Sequence, residues 1–147
     1  MSIYFASQPS SREIEEMVEG FPSWIEVDLD AITWNLEAIR RRVGVEVIPC
    51  IKANAYGHGL IPVAAHLMEL GVQRFLVAKL PEALELREAG LSCGIINMDP
   101  LYSMRSYETV VRLGITQVVY TLEAARRLNE AAERLGERAG VFVKIDT

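Results

Sequence analysis

The sequence is poor in the residues that build metal sites and covalent staples. Its 147 residues include two cysteines and two histidines. Neither Cys50 nor Cys93 belongs to a CxxC pair, and with only His58 and His66 beside them a structural zinc set is not expected. Both cysteines sit in or beside apolar stretches, where a thiol packs as a small hydrophobe. They read as reduced thiols of a cytoplasmic protein. No run approaches the roughly 18 apolar residues that a membrane-spanning helix requires. Residues 1–11 lack a basic start and an apolar core, so no secretory signal is expected there. Basic side chains are outnumbered, 15 against 20 acidic ones, for a net charge of -5. That balance argues against a nucleic-acid partner, whose phosphates call for a basic excess. The one basic cluster, Arg40-Arg41-Arg42, reads as the solvated face of a helix.

What is present is apolar bulk. Half of the chain is hydrophobic and 24% is charged, a balance that supports one packed domain rather than a disordered acidic chain. Ser10 with Glu13 forms a capping box, and Gly20 a stop, so a short helix is expected over 11–19. Residues 24–28 alternate apolar and polar, the pattern of a half-buried strand. From Asp30 the period becomes helical, with Ile32, Leu36, Ile39 and Val43 on one stripe and Gly44 closing it. Residues 45–51 are an almost continuous β-branched run, as a strand buried on both faces would be.

The alternation continues to the end. After a glycine-punctuated loop at 54–59, helices are expected near 60–70, 81–90, 103–113 and 121–135. Strands are expected near 74–78, 94–98, 117–120 and 141–145. Each pair of successive strands has a helix between them, as parallel pairing demands. An open doubly wound sheet and a (β/α)8 barrel both fit this rhythm. Five barrel-type strands are counted from Val45 onward, where a closed barrel takes eight. The sequence stops at Thr147, at the end of a strand, and so reads as an open sheet or as part of a longer barrel.

The least ordinary string is Lys52-Ala53-Asn54-Ala55-Tyr56-Gly57-His58-Gly59. It follows the apolar run directly and sets Lys52 at the carboxyl end of a strand, where both architectures bind ligands. Ile48, Pro49, Ile51 and Ala53 around it predict an apolar setting that disfavours the ammonium form. A neutral amine there is the nucleophile that condenses with an aldehyde. Gly57 and Gly59 allow a sharp turn, and the Tyr56 hydroxyl can donate to a phosphate oxygen. The ordinary readings are a lysine reaching to water and a loop histidine, His58, bonded to backbone.

The string resembles the cofactor-lysine motif of alanine racemases over eight consecutive residues. The surroundings agree in order. Trp24-Ile25-Glu26-Val27-Asp28-Leu29-Asp30-Ala31 followed by Asn35-Leu36 is similar to the family's N-terminal segment. Phe75-Leu76-Val77-Ala78 followed by Glu82-Ala83, Leu86-Arg87 and Gly90 is similar to its second strand and helix, and Val143-Lys144-Ile145-Asp146-Thr147 resembles the stretch entering a later motif. The resemblance covers 23–147 and leaves 1–22 as an N-terminal extension with a short helix. It implies an α/β fold, the N-terminal portion of a (β/α)8 TIM-type barrel with about five parallel strands, incomplete.

The resemblance also implies an activity: pyridoxal 5'-phosphate-dependent racemisation of L-alanine to D-alanine, a precursor of cell-wall peptidoglycan. Lys52 would hold the cofactor covalently and serve as one of two bases on opposite faces of the substrate carbon. Tyr56 would contact the cofactor phosphate, and Met98 would make an apolar cofactor contact. Lys144 matches a supporting lysine, carbamylated in some members, that orients a nearby arginine. The bland alternatives are a core methionine at Met98 and an ordinary salt-bridged lysine at Lys144. The family's second base is a tyrosine of a C-terminal β-domain, presented across a homodimer interface. That domain has no counterpart here, and Tyr102, Tyr107 and Tyr120 do not match the tyrosine. The strand at 24–28 belongs with the same absent domain. The 147-residue chain alone is therefore expected to give negligible turnover. Two other readings are a non-catalytic module that only binds pyridoxal phosphate and another barrel enzyme of this cofactor, a decarboxylase or a D-amino-acid aldolase. Those enzymes resemble the chain in a strand-ending lysine but not in the AYGHG continuation.

Overall fold

A computed structural model describes residues 9–145. Helix α1 (Ser11–Val18) starts where the capping box places it. The Ser10 hydroxyl accepts the Glu13 N–H at 3.3 Å, and the Glu13 carboxylate accepts the Ser10 N–H at 2.8 Å. The Ser10 hydroxyl also donates to the Glu13 carboxylate at 2.7 Å, and this bond, with that from the Ser10 N–H, holds the Glu13 carboxyl below its ordinary value. The strand expected at 24–28 does not form. This stretch has no strand pairing among the described residues, and Trp24 and Ile25 are 54% and 85% exposed. Alternation makes a strand only when a neighbour supplies the ladder, and none does so among the described residues. Helix α2 (Leu29–Val43) follows, capped by the Asp28 carboxylate on the Ala31 N–H (3.0 Å) and ended by Gly44 at φ +64°. Of its apolar stripe, Leu36 is buried and Ile32 half-buried, while Ile39 and Val43 lie exposed.

Strands β1 (Arg74–Val77), β2 (Gly94–Asn97), β3 (Thr116–Val119) and β4 (Val141–Val143) form one parallel sheet in the order β1-β2-β3-β4. The register sets Phe75 beside Ile95, Asn97 beside Gln117 and Val119 beside Val143. The order never turns back, so the described strands contain no topological switch point. That excludes the doubly wound alternative for this sheet and leaves the barrel type.

The run at 45–51 joins the sheet less fully than expected. It makes a single parallel bridge, Cys50 with Leu76, through Ile51 N–H to the Leu76 carbonyl and Leu76 N–H to the Pro49 carbonyl, both 2.9 Å. That pairing sets Ile48 level with Arg74, the first residue of β1. Residues 45–47 therefore overshoot the neighbouring strand, and Pro49 has no N–H to give to a ladder. Val45 and Glu46 are exposed accordingly. The sheet is thus four strands plus one bridged segment.

Helices α4 (Leu60–Glu69), α5 (Leu80–Glu88), α6 (Met104–Arg112) and α7 (Leu122–Leu135) fill the crossovers. They start and stop within two residues of the expected limits, the usual uncertainty of a helix end. Leu60, Val63, Ala64 and Leu67 of α4, Ala83 and Leu86 of α5, Val110 of α6 and Leu128 of α7 bury against Phe75, Val77, Ile95 and Val119. Each large apolar side chain removed from water contributes about 1.5–3 kcal/mol. By the two-residue alternation of strands, Leu76, Ile96 and Val118 face the other way, toward the barrel interior. Ile96 is buried there, and Leu76 and Val118 are half-buried. Strand β4 is exposed on both faces.

Candidate functional site

All four strands run in one direction, so their carboxyl ends form one rim. Lys52 follows the bridged segment there, Ala78 and Lys79 follow β1, Met98 follows β2, Tyr120 follows β3 and Lys144 follows β4. Hydrogen bonds extend the ladder to this rim: Met98 N–H to the Val77 carbonyl (3.0 Å), Asp99 N–H to Ala78 (2.8 Å) and Lys144 N–H to Val119 (2.9 Å).

Lys52 opens α3 (Lys52–Tyr56), a single turn with unusual handedness. Ala53, Asn54, Ala55 and Tyr56 all have φ between 51° and 56°, in the left-handed region. The sequence reading of a glycine-shaped loop is corrected here, because the left-handed residues are alanines, an asparagine and a tyrosine, and the glycines come after them. Each such residue costs roughly 1–2 kcal/mol. A dense set of bonds offsets the cost. The Ala55 N–H donates to the Ile51 carbonyl (2.9 Å), and the Gly57 and Gly59 N–H groups donate to the Asn54 carbonyl (both 3.0 Å). The Asn54 Oδ1 accepts the Leu60 N–H at 2.7 Å, and the His58 Nδ1–H donates to the Ala55 carbonyl at 2.8 Å. The Ala55 methyl is buried.

Glu82 of α5 ties this turn to the sheet. One carboxylate oxygen accepts the Ala53 N–H at 2.7 Å, and the other accepts the N–H groups of Ala78 (2.9 Å) and Lys79 (3.0 Å). The sequence carried half of this signal. A glutamate three residues after the position preceding a Pro-opened helix is a capping residue. Its second partner lies 29 residues away, and no local pattern reports that.

Lys52 is half-buried, with its ammonium nitrogen 5.9 Å from the centre of the Tyr56 ring, near the outer limit of a cation–π contact. The apolar enclosure expected around it is only partial: Ile51 is buried, Ile48 and Pro49 are half-buried, and Ala53 is exposed. The sequence lists apolar neighbours along the chain, whereas enclosure comes from neighbours across space. Tyr56 is exposed, and its hydroxyl lies 3.6 Å from the Cys50 sulfur. That contact raises the phenol above its ordinary value. Cys93 packs as the small hydrophobe expected, and burial pushes its thiol up.

Met98 is half-buried and Lys144 exposed. Along the sheet Met98 lies two strands and Lys144 four strands from the bridged segment. The structure therefore joins Lys52 and Tyr56 in one turn and sets Met98 and Lys144 further round the same rim. Asp146 and Thr147 lie outside the described residues. A cleft of about 290 Å³ on the rim beyond β3 is lined by Tyr102, Tyr107, Gln117, Tyr120 and Arg127 among others, and by none of Lys52, Tyr56, Met98 and Lys144.

Comparison with known proteins gives this rim a lineage. The sequence profile described as alanine racemase, N-terminal domain, matches residues 27–147. An alanine racemase of Clostridium perfringens is 42% identical over 128 residues, covering 86% of this chain and 33% of that protein. The solved alanine racemase of Clostridium difficile 630 superposes with a TM-score of 0.77 at 39% identity, over 85% of this chain and 33% of that one. A solved histidine racemase of Leuconostoc mesenteroides superposes with a TM-score of 0.71 at 28% identity, over 78% of this chain and 31% of that one. The chain thus spans about a third of the length of the curated relatives it matches. With a profile match over most of its length, a barrel-type sheet and its lysine turn at the carboxyl rim, the chain belongs to the alanine racemase N-terminal domain family.

Proposed function

We propose that Lys52 carries pyridoxal 5'-phosphate and that the complete protein racemises an amino acid, with L-alanine to D-alanine the reaction most relatives are named for. The observation that supports this best is the lysine itself: a half-buried residue at the mouth of a parallel sheet, on a turn whose left-handed Ala53, Asn54 and Ala55 are held by hydrogen bonds. The residues fit such a group. Lys52 offers the primary amine that condenses with an aldehyde. Tyr56 offers a protonated hydroxyl for a phosphate oxygen, and Met98 an apolar edge on the same rim. When bound, the cofactor delocalises the charge left by removal of the α-proton.

The chain's own residues do the rest. Lys52 takes or returns the α-proton at its amine nitrogen on one face of the substrate carbon, and the Tyr56 ring beside it limits the directions that amine samples. The opposite face requires a second base, which we assign to a further domain of a complete, homodimeric cytoplasmic protein. Lys144 is a supporting residue in this scheme, orienting groups on the far side of the rim. The choice of alanine as substrate rests on relatives' names, and the likeness to a histidine racemase keeps other amino acids within reach of the same turn.

Incubation with pyridoxal phosphate, borohydride reduction and peptide mapping tests the reading. The expected result is a modified Lys52 peptide and a visible absorbance band, both lost in Lys52→Ala. A wild-type chain labelled equally at its three lysines, Lys52, Lys79 and Lys144, would remove the basis of the proposal.

A further inference from the structure

We infer that Glu82 is the positioning residue of the lysine turn: its carboxylate holds Ala53 in the left-handed conformation and so fixes where the Lys52 amine stands. As it bears on the cofactor, this inference rests on the reading of Lys52 given above.

The geometry assigns separate work to the two oxygens. One accepts the Ala53 N–H at 2.7 Å, and Ala53 is the residue directly after the lysine. The other accepts the Ala78 and Lys79 N–H groups at 2.9 and 3.0 Å, where β1 ends and α5 begins. One rigid carboxylate thus spans the bridged segment and β1 at the rim. Of the remaining bonds that stabilise the turn, one reaches Ala53 through its carbonyl, which accepts the Gly57 N–H at 3.1 Å, and the others act further along, through Asn54, Ala55 and His58. At Ala53 itself the N–H has Glu82 as its side-chain acceptor, 29 residues away. Without that acceptor, Ala53 has a left-handed backbone and an unpaired N–H, and rotation back to ordinary φ swings the preceding side chain, Lys52.

A glutamine separates this role from simple helix capping. Its one oxygen can still accept from Ala78 and Lys79, but its amide nitrogen then faces the Ala53 N–H, donor against donor. Glu82→Gln is therefore expected to keep the start of α5 and the melting temperature near the wild type while releasing Ala53. Hydrogen exchange by NMR should be at least about tenfold faster at Ala53 in Glu82→Gln, the factor set by loss of one charge-assisted bond, with Ala78 and Lys79 unchanged. Borohydride-trapped pyridoxal phosphate at Lys52, relative to Lys79 and Lys144, should fall by a similar factor. Glu82→Ala should lose protection at all three amides.

Wild-type exchange at Ala53 in Glu82→Gln would overturn the inference. So would faster exchange with undiminished labelling of Lys52. If the wild-type chain itself does not label Lys52, the cofactor reading fails, and exchange at Ala53 still decides whether Glu82 holds the turn.

Discussion

Ala53 has a backbone set against its own side chain. It is exposed, with φ at 52°, so its methyl contributes strain and little packing. Ala53→Gly should therefore stabilise the chain by about 1 kcal/mol, the relief of left-handed strain less the extra freedom glycine gains on unfolding. Asn54→Gly relieves less strain, because asparagine tolerates the left-handed region, and removes the acceptor of the Leu60 N–H, so it should give no net gain. Thermal denaturation of the two variants side by side checks the pair; a destabilised Ala53→Gly would mean that the strain is not stored there. At this scale the sequence was legible in chemistry and opaque in shape. The string from Lys52 to Gly59 marked the lysine, the tyrosine and a sharp turn. It could not report handedness, because alanine disfavours left-handed φ wherever nothing else compels it. The compelling groups, Glu82 above all, are remote along the chain.

Elements were legible where their signals are local. Ser10, Asp28, Ser103 and Thr121 cap the helices that begin beside them, and Gly44 and Gly136 end two of them in left-handed conformation. Strands at 24–28 and 45–51 were misjudged because a strand exists only through its neighbour. Residues 24–28 have no partner among the described residues, and 45–47 run past the start of β1. The link between β2 and β3 was equally hidden. Asn97 and Gln117, both buried in the sheet, share a hydrogen bond of 2.7 Å from Nδ2 to Oε1, and each donates to the Asp99 carbonyl. Asn97→Ala should cost about 2–3 kcal/mol in denaturant unfolding, since it orphans the buried Gln117 oxygen and leaves a void. A cost below half a kcal/mol would show that this bond is not what joins the two strands.

At the scale of the molecule, the sheet is flanked by the bridged segment beside β1 and, among the described residues, ends at β4 on the other side. Its β4 edge presents Val141, Phe142 and Val143, all exposed, beside unpaired backbone. Such an edge is a template for another strand. The chain on its own should self-associate with rising concentration, and Val143→Lys should weaken that association in sedimentation experiments. A wild-type chain that stays monomeric throughout would mean the edge is covered in some other way. The regular β-α rhythm left a doubly wound sheet and a barrel both open; the family resemblance implied the barrel, and the unreversed order of the described strands agrees with it.

The carboxylate that bridges the lysine turn to the end of β1 also orders events in time. Residue 82 emerges from the ribosome well after residue 52, so a nascent chain halted before Pro81 would carry the whole KANAYGHG string and still lack a fixed amine. If Glu82 positions Lys52 as inferred, a short peptide bearing that string, which lacks the helix that carries the carboxylate, should trap the vitamin aldehyde no better than an ordinary lysine does.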